Sequence, residues 1–358
     1  MIKYMKIILL LISPFASANN KEWGTYINAK GFFYSESIPI KSLFNKMDGD
    51  LEQGRFIYTH NSVESGISYT SNFYTATLGY MSRYDYLIRY SEDAIFLLHR
   101  KGNDLDAPIR DYNLLLQGNR AKSTGKTFEL NFNASTNITL MLKGSWFKSQ
   151  DLLDGIISGA LTSDETGLEY NNLSLNYTYD QDLVFGRSIV EPGGKGMAMD
   201  AGLKIQLSDA ISLSLSSYDL YSKIKWDQAP FTIAHQNTDT VMFDDQGMIS
   251  VKPSLSGFYG KDNIIQRFTT RNQYEATYTT ATFSYWVKDE VIASEHFAQL
   301  GTRYTSTYGN FSTAFYPAQQ ALELGYKSDH IAVLLKSDNL DFNKAKLLAI
   351  ETGISYQW

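Results

Sequence analysis

The chain has 358 residues, with 32 Lys and Arg against 38 Asp and Glu, for a formal charge of −6. That balance argues against nucleic acid as a partner, since neutralising phosphates needs a basic surface. The absence of cysteine excludes a disulfide-stapled fold. Aromatic content is high at 14%, and where those rings fall along the chain guides the rest of the reading.

Residues 1–18 read as a secretory signal peptide. Lys3 and Lys6 precede a short apolar run, and Ala16 and Ala18 put small residues at a cleavage site. Cleavage after Ala18 removes two lysines and takes the charge from −6 to −8. A buried N-terminal helix is the competing reading. Residues 19–358 contain no linker or low-complexity tract and read as a single domain. No other stretch reaches the roughly 18 apolar residues of a spanning helix.

From there the apolar period is two. "EWGTYINAKGFFY" is a strand or a lead-in, and "VESGISYTSNFYTATLGY" is a hairpin turning at Ser71 and Asn72. "SEDAIFLLHRKGNDLDAP" (91–108) has a helix-like apolar run and, with 150–164 and 226–262, is a candidate to narrow or plug the channel. "TFELNFNASTNITLMLKGSW" is a second hairpin, with Phe128, Leu130 and Phe132 answered by Ile138, Leu140 and Leu142. In "QDLLDGIISGALTSD" (150–164), Leu152, Leu153, Ile156, Ile157 and Ala160 fall at near-helical spacing; a helix folded into a channel mouth competes with a surface helix or an exposed part of two strands. "LSLNYTY" sets Leu173, Leu175, Tyr177 and Tyr179 against Ser174, Asn176 and Thr178. "EPGGKGMAMD" (191–200) lacks the phosphate-loop spacing and reads as a turn. "GLKIQL" and "ISLSLSSY" alternate again, and 226–262 is long enough for a lid or binding loop, with Asp244 and Asp245 in an ordinary turn.

The C-terminal third repeats the pattern. Tyr274, Ala276 and Tyr278 oppose Arg271, Gln273 and Glu275, and Phe268 opposes Arg267. Phe283, Tyr285 and Val287 oppose Ser284 and Lys288; Leu300 and Tyr304 oppose Gly301 and Arg303; Leu322, Leu324 and Tyr326 oppose Glu323, Gly325 and Lys327. From 346 to 358, Leu348, Ile350, Thr352, Ile354, Tyr356 and Trp358 share one face, and Glu351, Gly353, Ser355 and Gln357 the other. Tight turns at Ser208–Asp209, Tyr308–Gly309 and Ser328–Asp329 alternate with longer connections such as 338–344.

Two-faced strands, one-sided short turns and aromatics at strand ends resemble the bacterial outer-membrane β-barrel superfamily, of porin-like type. In that superfamily the last strand commonly ends in an aromatic residue read by the insertion machinery; the matching positions are Thr352, Ile354, Tyr356 and Trp358. The resemblance is one of pattern and singles out no family within the group. It implies an all-β fold, a closed antiparallel transmembrane barrel of about 16 strands (range about 14–18), with short periplasmic turns and longer extracellular loops. It also implies the outer membrane of a Gram-negative bacterium as location, with outer-membrane lipid, lipopolysaccharide and the barrel-insertion machinery as partners, and it allows a homo-oligomer.

In such a barrel the polar face turns inward, giving Arg267, Arg271, Glu275, Lys288, Arg303, Glu323, Lys327 and Glu351 as lumen-lining candidates. Arg267, Arg271 and Arg303 are the candidates for a cationic stripe. A mixed-charge wall suits a porin-like channel for passive diffusion of small hydrophilic solutes. The alternatives are a plugged barrel serving secretion, polymer export or surface interaction, and an outer-membrane hydrolase. The five histidines show no metal-ligand spacing, so neither a metal nor another cofactor is expected.

Overall fold

The computed structural model describes residues 22–358 except 46, 48, 165–166, 183–184, 238–240, 244–248 and 252–253. The leader, with Ala16 and Ala18, and the Asp244–Asp245 turn lie outside the described residues. Strand β1 (Glu22–Ser35) is followed by the one-turn helix α1 (Ile40–Leu43), β2 (Phe56–Thr70), β3 (Tyr74–Tyr90) and helix α2 (Glu92–Gly102). Then come β4 (Asp111–Ser135), β5 (Ile138–Asp164), β6 (Gly167–Tyr179), β7 (Gly194–Gln206) and β8 (Ile211–Asn237). Two three-residue strands, β9 (Val241–Phe243) and β10 (Ile249–Val251), pair with each other apart from the main sheet. The rest are β11 (Ser254–Gln266), β12 (Arg271–Thr279), β13 (Phe283–Ile292), β14 (Glu295–Ser306), β15 (Gly309–Tyr316), β16 (Ala321–Lys327), β17 (Ile331–Ser337) and β18 (Leu347–Gln357).

The main sheet has 16 strands, and 14 of them close a ring: β1 to β5, then β7, β8 and β12 to β18, which returns to β1. The seam runs antiparallel from Gly24↔Gln357 to Tyr34↔Leu347, with Thr352 opposite Ala29, Ile354 opposite Ile27 and Tyr356 opposite Thr25. Trp23 and Trp358 finish it with reciprocal N–H···O bonds of 3.1 and 2.9 Å. Both the first and the last strand therefore have a neighbour on each side, so the ring itself is closed.

The other two strands continue broken staves. β6 pairs with the far half of β5 and β7 with its near half, so β6, the 180–193 excursion and β7 form one interrupted stave. β11 and β12 divide β8 in the same way, with a break at 267–270. β4, β5 and β8 run 25 to 27 residues, whereas β13 to β17 run 7 to 12, so one wall stands far taller than the other.

Alternation sorts the side chains. On the outer face Leu142, Leu300 and Leu324 are 56, 55 and 63% exposed, in a belt with Ile27, Leu78, Leu215 and Ile350. That exposure of large apolar residues all round the ring suits hydrocarbon and not water. At the end carrying the short turns (the turn end), outward aromatics meet across strands and along them. Trp23 lies 5.0 Å from Tyr69, Phe283 5.3 Å from Tyr304 and Phe311 5.1 Å from Tyr326, while Tyr356 stacks at 6.0 Å on Trp358 at the end of its own strand.

Two expectations change here. Residues 150–164 form strand, not helix. Asp151 adopts a left-handed φ of 58° and makes a bulge opposite Arg120 and Lys122, which shifts the alternation by one residue. Below it Leu140, Leu142 and Trp146 face out; above it Leu153, Gly155 and Ile157 do, while Leu152 is fully buried. That shift is what mimicked helical spacing. The apolar run at 91–108 does give a helix, capped by Ser91 Oγ accepting from Ala94 N–H at 3.2 Å. It lies against the outside of the wall rather than in the mouth: Ala94 and Ile95 pack with Ile57 and Tyr90. With α1 it roofs an apolar cavity of about 470 Å³ whose walls include Phe33, Ile88 and Leu116. The long 226–262 segment is largely strand, the upper parts of β8 and β11.

If the belt meets lipid, Leu142→Arg should destabilise the folded barrel by about 2–4 kcal/mol, as a charge at mid-bilayer depth does. Urea titration of the barrel in phospholipid vesicles measures this, and an unchanged midpoint would remove lipid from the outer face.

Candidate functional site: the lumen

Side chains that alternate inward from β1 to β5 build the lumen from the turn end. Glu64 accepts hydrogen bonds from Tyr26 Oη (2.8 Å), Thr127 Oγ1 (2.8 Å) and Lys143 Nζ (2.6 Å). These three donors come from β1, β4 and β5, so one carboxylate on β2 ties together the inner wall from β1 to β5.

Deeper in, Arg83 on β3 makes two bidentate pairs. It binds Asp219 at 2.7 and 2.8 Å and Asp85 at 2.7 and 2.9 Å, and His60 Nδ1 lies 2.8 Å from Asp85. The Arg83 and Asp219 side chains keep only 8 and 1% of their surface exposed. β3 and β8 are separated on the ring by three strands, so this pair spans the lumen. Asp219 reaches inward because it sits at a left-handed bulge (φ 53°), its N–H held by Asp200 Oδ1 at 2.7 Å.

Toward the loop end, two apolar clusters fill the bore. Phe268, from the break between β11 and β12, packs on Phe147, Trp226, Ile224, Leu152 and Met81, with the Arg83 guanidinium 3.8 Å from its ring centre. Gln266 fixes the break: its Nε2 donates to the carbonyls of Arg120 (3.0 Å) and Leu153 (3.1 Å), while Trp226 Nε1 donates to its Oε1 (3.0 Å). On the short wall Phe32 of β1 and Phe297 of β14 meet edge-on at 5.6 Å, in a cluster with Phe56, Tyr58, Tyr316 and Leu347. Four strands separate β1 from β14, so this contact also crosses the lumen.

Below the clusters lies a polar cavity of about 430 Å³, lined by Tyr26, Lys30, His60, Arg83, Tyr218 and Arg271 among others. It shares Asn28 and Lys30 with a second cavity of about 330 Å³, which reaches Asn310 and Lys327 near the turn end. Arg271 stands out. Its nearest acid is Glu290 at 4.0 Å, its Nε is buried with no hydrogen-bond partner among the described residues, and Tyr218 lies beneath its guanidinium at 5.1 Å.

The sequence candidates distribute as follows. Arg271, Glu275 and Lys288 lie on inward positions of β12 and β13, with Glu275 and Lys288 directly opposite one another. Arg303, Lys327 and Glu351 line the cavity nearer the turn end, where Glu351 pairs with Lys30 at 3.4 Å. Glu323 is buried deeper, accepting from Tyr316 Oη (2.6 Å) and facing Lys336 at 3.5 Å. Arg267 does not join them: it is exposed in the 267–270 break, where Phe268 takes the inward position instead. The cationic stripe is therefore reduced to Arg271 and Arg303, with Lys288 on the strand between. Arg83, Asp85, His60, Glu64 and Lys143 were passed over, although the alternation of Met81, Arg83 and Asp85 and of His60, Ser62 and Glu64 already puts them on a polar face.

No family model and no curated protein sequence matches the chain. Among solved structures it is similar to the Ralstonia pickettii toluene transporter TbuX, at 9% identity and a TM-score of 0.33, with 95% of this chain and 90% of that one covered. The P. putida toluene transporter TodX gives 9% and 0.34, covering 95 and 90%. A Pseudomonas aeruginosa FadL homologue gives 10% and 0.28, covering 94 and 88%. The closed antiparallel ring, its apolar outer belt and its polar inner wall define a bacterial outer-membrane type of β-barrel.

Arg83→Leu should cost about 3–5 kcal/mol, because two carboxylates lose their partner in a site nearly sealed from water. Replacing Arg83, Asp85 and Asp219 together by leucine should recover much of that loss in the same urea titration. A single variant as stable as the parent would show that the triad is hydrated.

Proposed function

We propose that the chain is an outer-membrane transport channel of a Gram-negative bacterium, with its turn end in the periplasm. Its lumen takes a small hydrophilic solute carrying an anionic group, and the two apolar clusters form a seal that must part for passage. The supporting observation is Arg271: a buried guanidinium with an unused donor, facing a polar cavity inside a closed ring. Buried donors without partners are rare in folded proteins, and a site that receives a ligand is one common reason for them. Lys30 and His60 line the same cavity, and Glu64, already saturated by three donors, offers an anion little fresh repulsion.

A permanently open pore fits less well than a gated one, because side chains from opposite walls touch at two levels. Removing Phe268 and Trp226 clears one of those levels without touching Arg271.

In planar bilayers the parent barrel should conduct rarely, and the Phe268→Ala/Trp226→Ala variant should show stepwise currents at least several-fold more frequent or larger. Arg271→Gln in that background should shift the reversal potential away from anion preference. Silent bilayers for both proteins, with folding verified by heat-sensitive gel mobility, would overturn the channel reading.

A further inference from the structure

We infer that the outside of the tall wall carries a binding site for the phosphorylated headgroup of an outer-leaflet glycolipid, the lipopolysaccharide type of lipid. The inference rests on the membrane placement above and adds a specific lipid to it. Six lysines face outward on four neighbouring strands: Lys122 and Lys126 on β4, Lys148 on β5, Lys195 on β7, and Lys223 and Lys225 on β8. Five are exposed and Lys223 is half-buried. Lys148 lies directly opposite Lys195, and Lys195 directly opposite Lys225, which places three like charges in one cross-strand row.

Like charges directly opposite destabilise a sheet, so a row of three calls for counter-charge. The protein does not supply it. None of the six takes part in a hydrogen bond or ion pair among the described residues, and Asp227, two residues beyond Lys225, forms none either. Inside the barrel Lys30, Lys143 and Lys336 each have a carboxylate within 3.5 Å, whereas Lys288, Arg303 and Lys327 form no ion pair among the described residues.

Position selects the occupant. On β5 the outward residues run Leu140, Leu142, Gly144, Trp146 and then Lys148; on β7 they run Leu203, Ala201, Met199, Met197 and then Lys195. Each lysine is the first charged outward position beyond the apolar belt, on the side away from the termini. About nine to eleven tilted strand residues cross a bilayer, so the row falls where the outer-leaflet headgroups begin. At the β4 end of this lysine patch the wall is recessed by small residues: a depression of about 430 Å³ on β1 to β3 and β18 has Ala29, Gly31, Val63, Ser82 and Ile350 along it and Lys122 at its rim. A phosphate on the lysines with an acyl chain in that recess satisfies both features. A soluble polyanion would satisfy only the first.

The test uses the whole barrel folded in phosphatidylcholine nanodiscs, titrated with lipid A and with dephosphorylated lipid A. The parent should bind the phosphorylated form at least tenfold more tightly. Lys148→Gln/Lys195→Gln/Lys225→Gln should remove that preference while keeping heat-sensitive gel mobility. If the triple variant does not fold, Lys195→Gln alone, at the centre of the row, should show a smaller loss of the same kind. Equal binding of the two lipids, an unchanged preference in the variants, or displacement by equimolar inorganic phosphate would each overturn the inference. Failure of the parent to enter nanodiscs at all would instead overturn the membrane placement beneath it.

Discussion

A sheet in hydrocarbon has no water to satisfy an open edge, so the pairing of β1 with β18 is the contact on which the rest depends. It is an ordinary antiparallel ladder, yet its paired residues are 313 (Tyr34 and Leu347) to 333 (Gly24 and Gln357) positions apart in sequence. The order it imposes is therefore costly to reach and cooperative once reached. Closing the ring turns every alternate side chain either to lipid or to a shared interior. That interior is too wide for one layer of side chains to fill by itself, so what enters it is decided by departures from regular strand.

Those departures sit on the tall wall. Left-handed residues at Asp151 (φ 58°), Asp219 (φ 53°) and Gln228 (φ 52°) let β5 and β8 bend above the belt without losing their ladders. Each carries a side chain able to tolerate that conformation better than a branched one would. The β11–β12 stave breaks at 267–270, and Phe268 from that break enters the bore. The Gln266 amide bonds the carbonyls of Arg120 and Leu153, beside the bulge in the β4–β5 ladder, so the irregularity of one stave is stabilised by the irregularity of another. Seal and bend thus form one unit, and a change at either is felt at both.

The sequence displays a strand wherever its period of two runs unbroken, as from Leu347 to Gln357 or in the repeated serines of Ile211–Ser217. It misleads where a single inserted residue inverts the faces. At Asp151 the inversion imitates a helix, and between Arg267 and Arg271 it moves an expected lumen arginine to the surface and a phenylalanine inward. Partners across the lumen leave no local trace at all: Arg83 and Asp219 are 136 residues apart and meet only because the wall from β3 through β4, β5 and β7 to β8 curves round the bore. Helix α2 was legible from its apolar run. Its seat outside the barrel was not, because an amphipathic helix carries no label saying which apolar surface will receive its buried face.

The two faces of the wall treat charge in opposite ways for one physical reason. In the sealed part of the bore water is scarce and the effective dielectric low, so a lone ion is expensive and acids and bases lie within hydrogen-bond distance: Glu64 with Lys143, Asp85 and Asp219 with Arg83. Arg271 departs from that rule by leaving its Nε free, which makes it the place in the bore where an incoming anion would gain most. Outside, the lysine row is unpaired even though Glu or Asp at alternate positions would have neutralised it at no cost in strand geometry. A chain that pairs its charges carefully where no counter-ion can follow, and leaves them bare where a phase rich in phosphate begins, is using its surroundings as part of its electrostatics.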